Sequence, residues 1–334
     1  MAHHCRIDTN PRTICLPAEP NGTTPQAAAE GTHSEVSRRS VLSAAGAATI
    51  GAIVAGCGFP TPDTSAPTTS PKARQTPAAK AAAATNPKAL PTAPVQPSRS
   101  DIERRFIGKP PGRWGLDLPG IVTHTGSSAI ALTFDACGGA GGSGYDARLI
   151  ETLRRFHVPA TLFLNARWIT SNPSLSRELA SDSLFEIGNH GLAHVPLSTT
   201  GRSAYGIAGT SSVDAVMDEV SGGVAGVAAL TGKKTPWLRA GTAFYDETAV
   251  QVVGAMGLVP VNFSINSDGG ATFPPGTVAS QLASVRAGDI VIGHMNQPWS
   301  GTSAGYEEAL PAMIDQGMNF TTLSNTAVPA PGHF

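Results

Sequence analysis

Leu184-Phe-Glu-Ile187-Gly-Asn-His190-Gly-Leu-Ala-His194 is the stretch on which the fold of this chain turns. A short apolar run leads into two histidines four residues apart. The same design recurs twice. Ile130-Ala-Leu-Thr-Phe134 stops at Asp135, and Ile290-Val-Ile292 stops one residue before His294. Polar side chains at the ends of three separate strand-like runs fit a barrel whose functional groups stand at the carboxyl ends of its strands. Imidazoles and a carboxylate gathered in that way suit metal-assisted hydrolysis.

Outward from these runs, strand-like and helix-like segments alternate. Strands are expected at 130–134, 160–164, 185–188, 236–239, 258–265, 289–292 and 320–323. Helices are expected at 146–157, 173–183, 211–231, 246–256, 277–285 and 306–316. The first helix shows the reasoning: Leu149, Ile150, Leu153 and Phe156 recur at helical spacing, and Asp146 stands where a cap belongs. Gly222, Gly223 and Gly226 weaken the helix at 211–231. The alternation predicts an α/β fold, a parallel sheet with outer helices, and the strand count predicts a distorted (β/α)7-type barrel. Gly138-Gly-Ala-Gly-Gly-Ser-Gly144 lacks the Gly-Lys-Ser/Thr ending of a phosphate loop and reads as a flexible loop walling a groove.

The first hundred residues have another character. Arg38-Arg39 precedes a weakly apolar run, Val41 to Ala55, that ends in Val54-Ala55-Gly56-Cys57. Residues 1–57 thus read as a twin-arginine lipoprotein signal with a long leader, which leaves the true start open, and Cys57 as the lipidated residue. The run is too short and polar for a comfortable membrane span. Residues 58–100, rich in Pro, Thr and Ala, read as a disordered tether, leaving 101–334 as the folded domain. The expected location is the outer face of the cytoplasmic membrane. A formal net charge of −1 gives no sign of a nucleic-acid partner. Of four cysteines, Cys5 and Cys15 precede the cleavage site and Cys57 carries lipid. Cys137 is left alone, so no disulfide is expected and any metal must rely on His and carboxylate ligands. Cys137 itself reads as a small buried apolar residue, with a ligand role the minor alternative.

Over residues 128–325 the order of motifs resembles the polysaccharide deacetylases, which act on chitin oligomers, peptidoglycan and acetylxylan. The matching pieces are Thr133-Phe134-Asp135-Ala136-Cys137-Gly138, Asn189-His190-Gly-Leu-Ala-His194, Arg239-Ala-Gly-Thr-Ala-Phe-Tyr-Asp246, Phe263-Ser-Ile-Asn266-Ser-Asp268 and Gly288-Asp-Ile-Val-Ile292-Gly-His294. The resemblance implies that Asp135 is the general base, that His190 and His194 bind a divalent metal, usually zinc, and that Arg239 holds the base ionised. It implies His294 as general acid, Ile292 in the acetyl-methyl pocket, and the backbone N–H near Thr242 at the oxyanion. The family's second aspartate, a metal ligand, is here Ala136. Either Asp135 also ligates, or Asp146 or Asp268 enters the shell, or the metal is lost and a sugar-binding domain remains. Asn266 stands where the family has an aspartate, which leaves the partner of Arg239 or His294 open. The expected activity is removal of acetyl groups from N-acetylated sugars of a surface polysaccharide, peptidoglycan first, by a monomer. The alternatives are an O-acetyl esterase on xylan or another glycan, and a metal-free carbohydrate-binding protein.

Overall fold

The structure, a computed structural model, describes residues 96–328. The signal, Cys57 and the tether up to residue 95 lie outside the described residues. The described part opens with α1 (Arg99–Phe106), capped by Ser98, and β1 (Trp114–Gly115). The alternating core follows: β2 (Ala131–Ala136), α2 (Ala147–Arg155), β3 (Ala160–Leu164), α3 (Ala166–Ser171), α4 (Pro173–Ser181) and β4 (Phe185–Asn189). Next come α5 (Val213–Thr231), β5 (Trp237–Leu238), β6 (Tyr245–Asp246) and α6 (Glu247–Ala255). The last elements are β7 (Val259–Pro260), β8 (Ile265–Asn266), α7 (Pro275–Ala283), β9 (Ile290–His294) and α8 (Thr302–Asp315). Side-chain caps start four further helices, with Asp146 accepting from Leu149 N, Asn165 from Arg167 N, Ser212 from Ala215 N and Asp246 from Ala249 N. Among the described residues, no helix is long and apolar enough to cross a membrane.

Seven strands form one parallel sheet in the order β7-β5-β4-β3-β2-β9-β8. All six residues of β2 are buried, which explains its unbroken apolar run: a parallel strand is covered on both faces. Side chains alternate across it. Leu132, Phe134 and Ala136 pack with Leu149, Leu153 and Leu310 on the helix side. Ala131 packs with Phe163, Val259 and Ile290 on the other face, the face that Asp135 shares by parity.

The sheet is curled, and the connection between its edges requires it. β7 and β8 are opposite edges, yet only residues 261–264 join them. Laid flat, seven strands would hold their edges about 29 Å apart. The five residue steps from Pro260 to Ile265 reach at most about 18 Å. The edges do not pair with each other. The seam is filled by the chain before β2: Val122 N donates to Pro260 O (2.9 Å), and Asn262 N donates to Val122 O (2.8 Å).

Two expected strands are corrected. The run 258–265 is not one strand, because the chain leaves one edge at Pro260 and joins the other at Ile265. The expected strand at 320–323 is a single bridge, Ile130 to Phe320, followed by a 3-10 turn, Leu323–Asn325. β8 takes its place in the count. The expected distorted (β/α)7-type barrel, a parallel sheet with outer helices, is otherwise the architecture found.

Candidate active site

Asp135 and His294 lie side by side, since β2 and β9 pair in register at these residues. The neighbouring pair of strand ends places His190 against Arg239. Asn189 at the end of β4 pairs with Leu238 of β5, and Arg239 N donates to Asn189 O (2.9 Å). Arg239 then makes two kinds of contact. Its carbonyl lies 2.9 Å from His190 Nδ1. A carbonyl only accepts, so Nδ1 carries the proton and Nε2 keeps its lone pair. Its guanidinium donates to Asp135 Oδ1 (2.7 Å), Val261 O and Asn262 O, with the Phe163 ring 4.3 Å away. Both partners of this ion pair are buried. Burial alone would raise the Asp135 carboxyl, but Arg239, His190 and His294 hold it below its ordinary value. The second oxygen, Oδ2, lies 3.5 Å from His190 Nε2.

The loop carrying the second histidine is shaped by α5. Gly191 and His194 have positive φ, +80° and +60°. The Glu219 carboxylate accepts from Ala193 N and His194 N, at 2.9–3.0 Å. Asn189 Nδ2 donates to Val220 O (3.1 Å). The α5 glycines explain themselves here: a Cβ at Gly223 would collide with Asn189 Oδ1, and one at Gly222 would come 2.7 Å from Leu192 Cδ2. They permit the close approach of helix to loop. Sequence reasoning misses Glu219. Its one legible signal is an acid among the buried positions of an otherwise apolar helix face. The His190 and His194 rings meet edge to face with centroids 4.9 Å apart, and the buried His194 Nε2 has no hydrogen-bond partner.

Cys137 faces the same space. Its Sγ lies 3.9 Å from His190 Nε2, and donor atoms of Cys137, His190 and His194 all fall within 4.8 Å of one another. Burial would raise the thiol, but His190, His194 and His294 take it well below its ordinary value. A buried donor without a partner and a convergent N/N/S set fit a divalent metal of the zinc type. Asp135 is not a member of that convergent group. Asp146 and Asp268 are also elsewhere. Asp146 caps α2 through Leu149 N (3.2 Å). Asp268 is the partner of His294: His294 Nδ1 lies 3.0 Å from Asp268 Oδ1, and His294 N and Thr302 Oγ1 donate to Oδ2. Burial would depress the His294 imidazole, but Asp268, with Cys137 nearby, holds it well above its ordinary value. Asn266 instead accepts from Gly269 N.

Ile292 is buried on β9, two residues before His294, and its carbonyl accepts from Ser267 N and Oγ. Thr242 lies in the turn after Arg239, where Ala243 takes a φ of +61°. The glycine-rich loop is tied down rather than free: Asn296 donates to Gly142 O, Gln297 to Gly141 O and Trp168 to Gly144 O, at 2.8–2.9 Å. Among the aromatic side chains that sugar rings could stack on, Trp168, Trp237 and Tyr245 are core residues. Phe244 stacks on Trp114 at 5.5 Å and meets the exposed Tyr205, while Trp299 is 92% exposed.

Residues 123–261 match the family model for polysaccharide deacetylase. Two curated relatives match in sequence. The Bacillus subtilis (strain 168) protein YlxY, itself uncharacterised, is 21% identical over 188 residues, covering 55% of this chain and 54% of YlxY. An uncharacterised 30.6 kDa protein of Geobacillus stearothermophilus is 22% identical over 204 residues, covering 59% of this chain and 69% of that protein. The chain thus spans about half the length of the first relative. Among solved structures, a family 4 carbohydrate esterase pseudoenzyme of Bacillus anthracis superposes with a TM-score of 0.52 at 20% identity, covering 63% of this chain and 69% of that one. Bacillus subtilis PdaA, a family 4 carbohydrate esterase, gives 0.51 at 19%, covering 62% and 83%. A peptidoglycan N-acetylglucosamine deacetylase gives 0.53 at 17%, covering 64% and 94%. At these identities the likeness is one of fold.

Proposed function

We propose that this chain, whose residues 123–261 match the polysaccharide deacetylase family model, is a metal-dependent hydrolase that removes acetyl groups from N-acetylated sugars of a cell-surface polysaccharide. One observation carries the reading. A buried carboxylate, Asp135, is locked on one oxygen by Arg239, with Nε2 of His190 facing its other oxygen and His294 beside it on the neighbouring strand.

Each group has a task its surroundings favour. Asp135 stays ionised and, through Oδ2, takes a proton from water as its oxygen attacks the acetyl carbonyl. His190 and His194 hold the cation, which when bound polarises the carbonyl and stabilises the charge that builds on its oxygen. His294, kept protonated by Asp268, gives its proton to the amine nitrogen as the C–N bond breaks. Acetate and a free amino sugar result. Ile292 borders the methyl group, and the backbone N–H near Thr242 donates to the oxyanion.

Peptidoglycan ranks first among substrates because twin-arginine export and a lipid on Cys57 would hold the enzyme at the outer face of the cytoplasmic membrane, beside the wall. The substitution at Ala136 favours a second reading, a metal-free carbohydrate-binding protein. Acetate release from peptidoglycan, chitin oligomers and acetylxylan by the zinc-loaded full chain decides between them. Release from the N-acetylated polymers, abolished in His190→Ala, is the expected result. Release from acetylxylan alone would make the protein an O-acetyl esterase. Glycan binding with no release from any of the three would overturn the hydrolase.

A further inference from the structure

Two imidazoles and no carboxylate leave the metal one protein ligand short. Catalytic zinc is ordinarily held by three protein ligands, with a fourth position left for water or substrate. Ala136 offers no lone pair. Its methyl group is moreover packed on the helix side of β2, with Leu164 and Trp168 in the same cluster. The carboxylates already have other partners: Asp135 the Arg239 guanidinium, Asp146 the start of α2, Asp268 the His294 ring.

Alternation along β2 points to the donor. Residues 131, 133 and 135 share the face opposite Ala136, and the next step of that parity, just past the strand end, is Cys137. We infer that the Cys137 thiolate is the third protein ligand of the metal, forming a Cys-His-His centre in which sulfur replaces the carboxylate oxygen absent at Ala136. This rests on the hydrolase reading and specifies its metal site.

Three observations support it independently. The first is distance: in a tetrahedral zinc site with ordinary bond lengths, sulfur and a ligating nitrogen stand about 3.6 Å apart. Cys137 Sγ and His190 Nε2 are 3.9 Å apart, close to that spacing. The second is the state of the two imidazoles. His190 Nε2 is free to ligate because Nδ1 is engaged by the Arg239 carbonyl, and the buried His194 Nε2 has no protein partner. The third is the chain after Cys137. Gly138 has a φ of +69°, and a Cβ there would lie 2.6 Å from Trp168 N. Its N–H donates to Gly142 O (2.9 Å), and Asn296 fixes Gly142 in turn (2.8 Å). The glycine-rich run is therefore the device that turns the chain tightly enough to aim Cys137 at the histidines and then holds it there. A thiolate with two imidazoles selects zinc or cobalt over magnesium, calcium or manganese.

The test is optical and does not need turnover. The full-length protein, stripped of metal and titrated with cobalt(II), should bind one ion per chain. It should show a near-ultraviolet sulfur-to-cobalt charge-transfer band beside the visible d–d bands. Cys137→Ser should lose the ultraviolet band, keep visible bands, and bind zinc more weakly by about tenfold or more. The wild-type band stands as a result even if the variant fails to fold. Cobalt bound by the wild type with d–d bands alone would overturn the thiolate ligand and leave the hydrolase reading intact. A folded wild type that takes up no cobalt would overturn both.

Discussion

The two halves of the site are built to different rules. The acid–base half, Asp135, Arg239, Asp268 and His294, is complete within the protein: every charge has an opposite charge and a hydrogen bond, and three of the four residues are fully or almost fully buried. The metal half, Cys137, His190 and His194, converges on shared space and leaves a buried ring nitrogen with no protein partner. In the first half Asp135 and His294 are themselves strand residues. In the second, Cys137 and His190 directly follow strand ends and His194 sits on a loop, and the chain beside them turns on glycines, Gly138 and Gly191. Damage to the first half should therefore show as lost stability or lost proton transfer, and damage to the second as lost metal.

The sharpest way to break this division is Asp135→Asn. With zinc bound as in the wild type, acetate release should fall by about 10²–10⁴-fold. Loss of the metal along with activity would instead make Asp135 a ligand, merging the halves. Next in size is Arg239→Met, which strands the buried Asp135 carboxylate. Denaturant unfolding should report a loss of about 3–5 kcal/mol, whereas a loss under about 1 kcal/mol would mean water or rearrangement rescues the charge. Glu219→Gln probes the loop half without touching the metal. It weakens the charge-assisted bonds to Ala193 N and His194 N and should lower zinc affinity by about 10–100-fold, read by competition with a chelator, while unfolding stays cooperative.

The smallest effect is a shift in pH. His294 is raised well above its ordinary value, so its contribution to stability is whole below about pH 6.5 and is lost as pH rises through the raised folded value. Asp268 is depressed despite its burial, mainly by His294, so its contribution is present above about pH 4 and is lost as pH falls through the depressed value. The pair is intact between these limits. Asp268→Asn removes the charge that holds the proton on His294, and the alkaline limb of the kcat profile should move to lower pH. A limb that stays in place would remove His294 from the role of acid.

What the sequence discloses follows from what is local. Continuous apolar runs ending in Asp135, in the lead-in to His190 and in His294 mark buried parallel strands, and the structure brings these side chains together with Arg239. Tertiary approach is not local. Glu219 and the α5 glycines look like flaws in a helix until the loop they support is seen. The order of motifs draws attention to Asn266, yet the partner of His294 stands two residues on, at Asp268, because the bend after β8 aims that side chain back at β9. The run 258–265 reads as one strand because its apolar character is continuous. Only closure of the curl shows that it serves both edges. Cys137 looks inert by residue type, and its direction becomes readable only from the strand before it.

The strip around Val122 has a practical consequence for anyone trimming this chain. A fragment begun at residue 128, where the resemblance to known motifs starts, would look generous because it keeps all the chemistry. It would also discard the backbone that pairs with Pro260 and Asn262 through Val122 and with Gly288 through Thr125. The Pro260 carbonyl, the Asn262 amide and the Gly288 carbonyl would then lose these backbone partners, an invitation to self-association. Poor behaviour of such a fragment would reflect where the scissors fell, not what the enzyme can do.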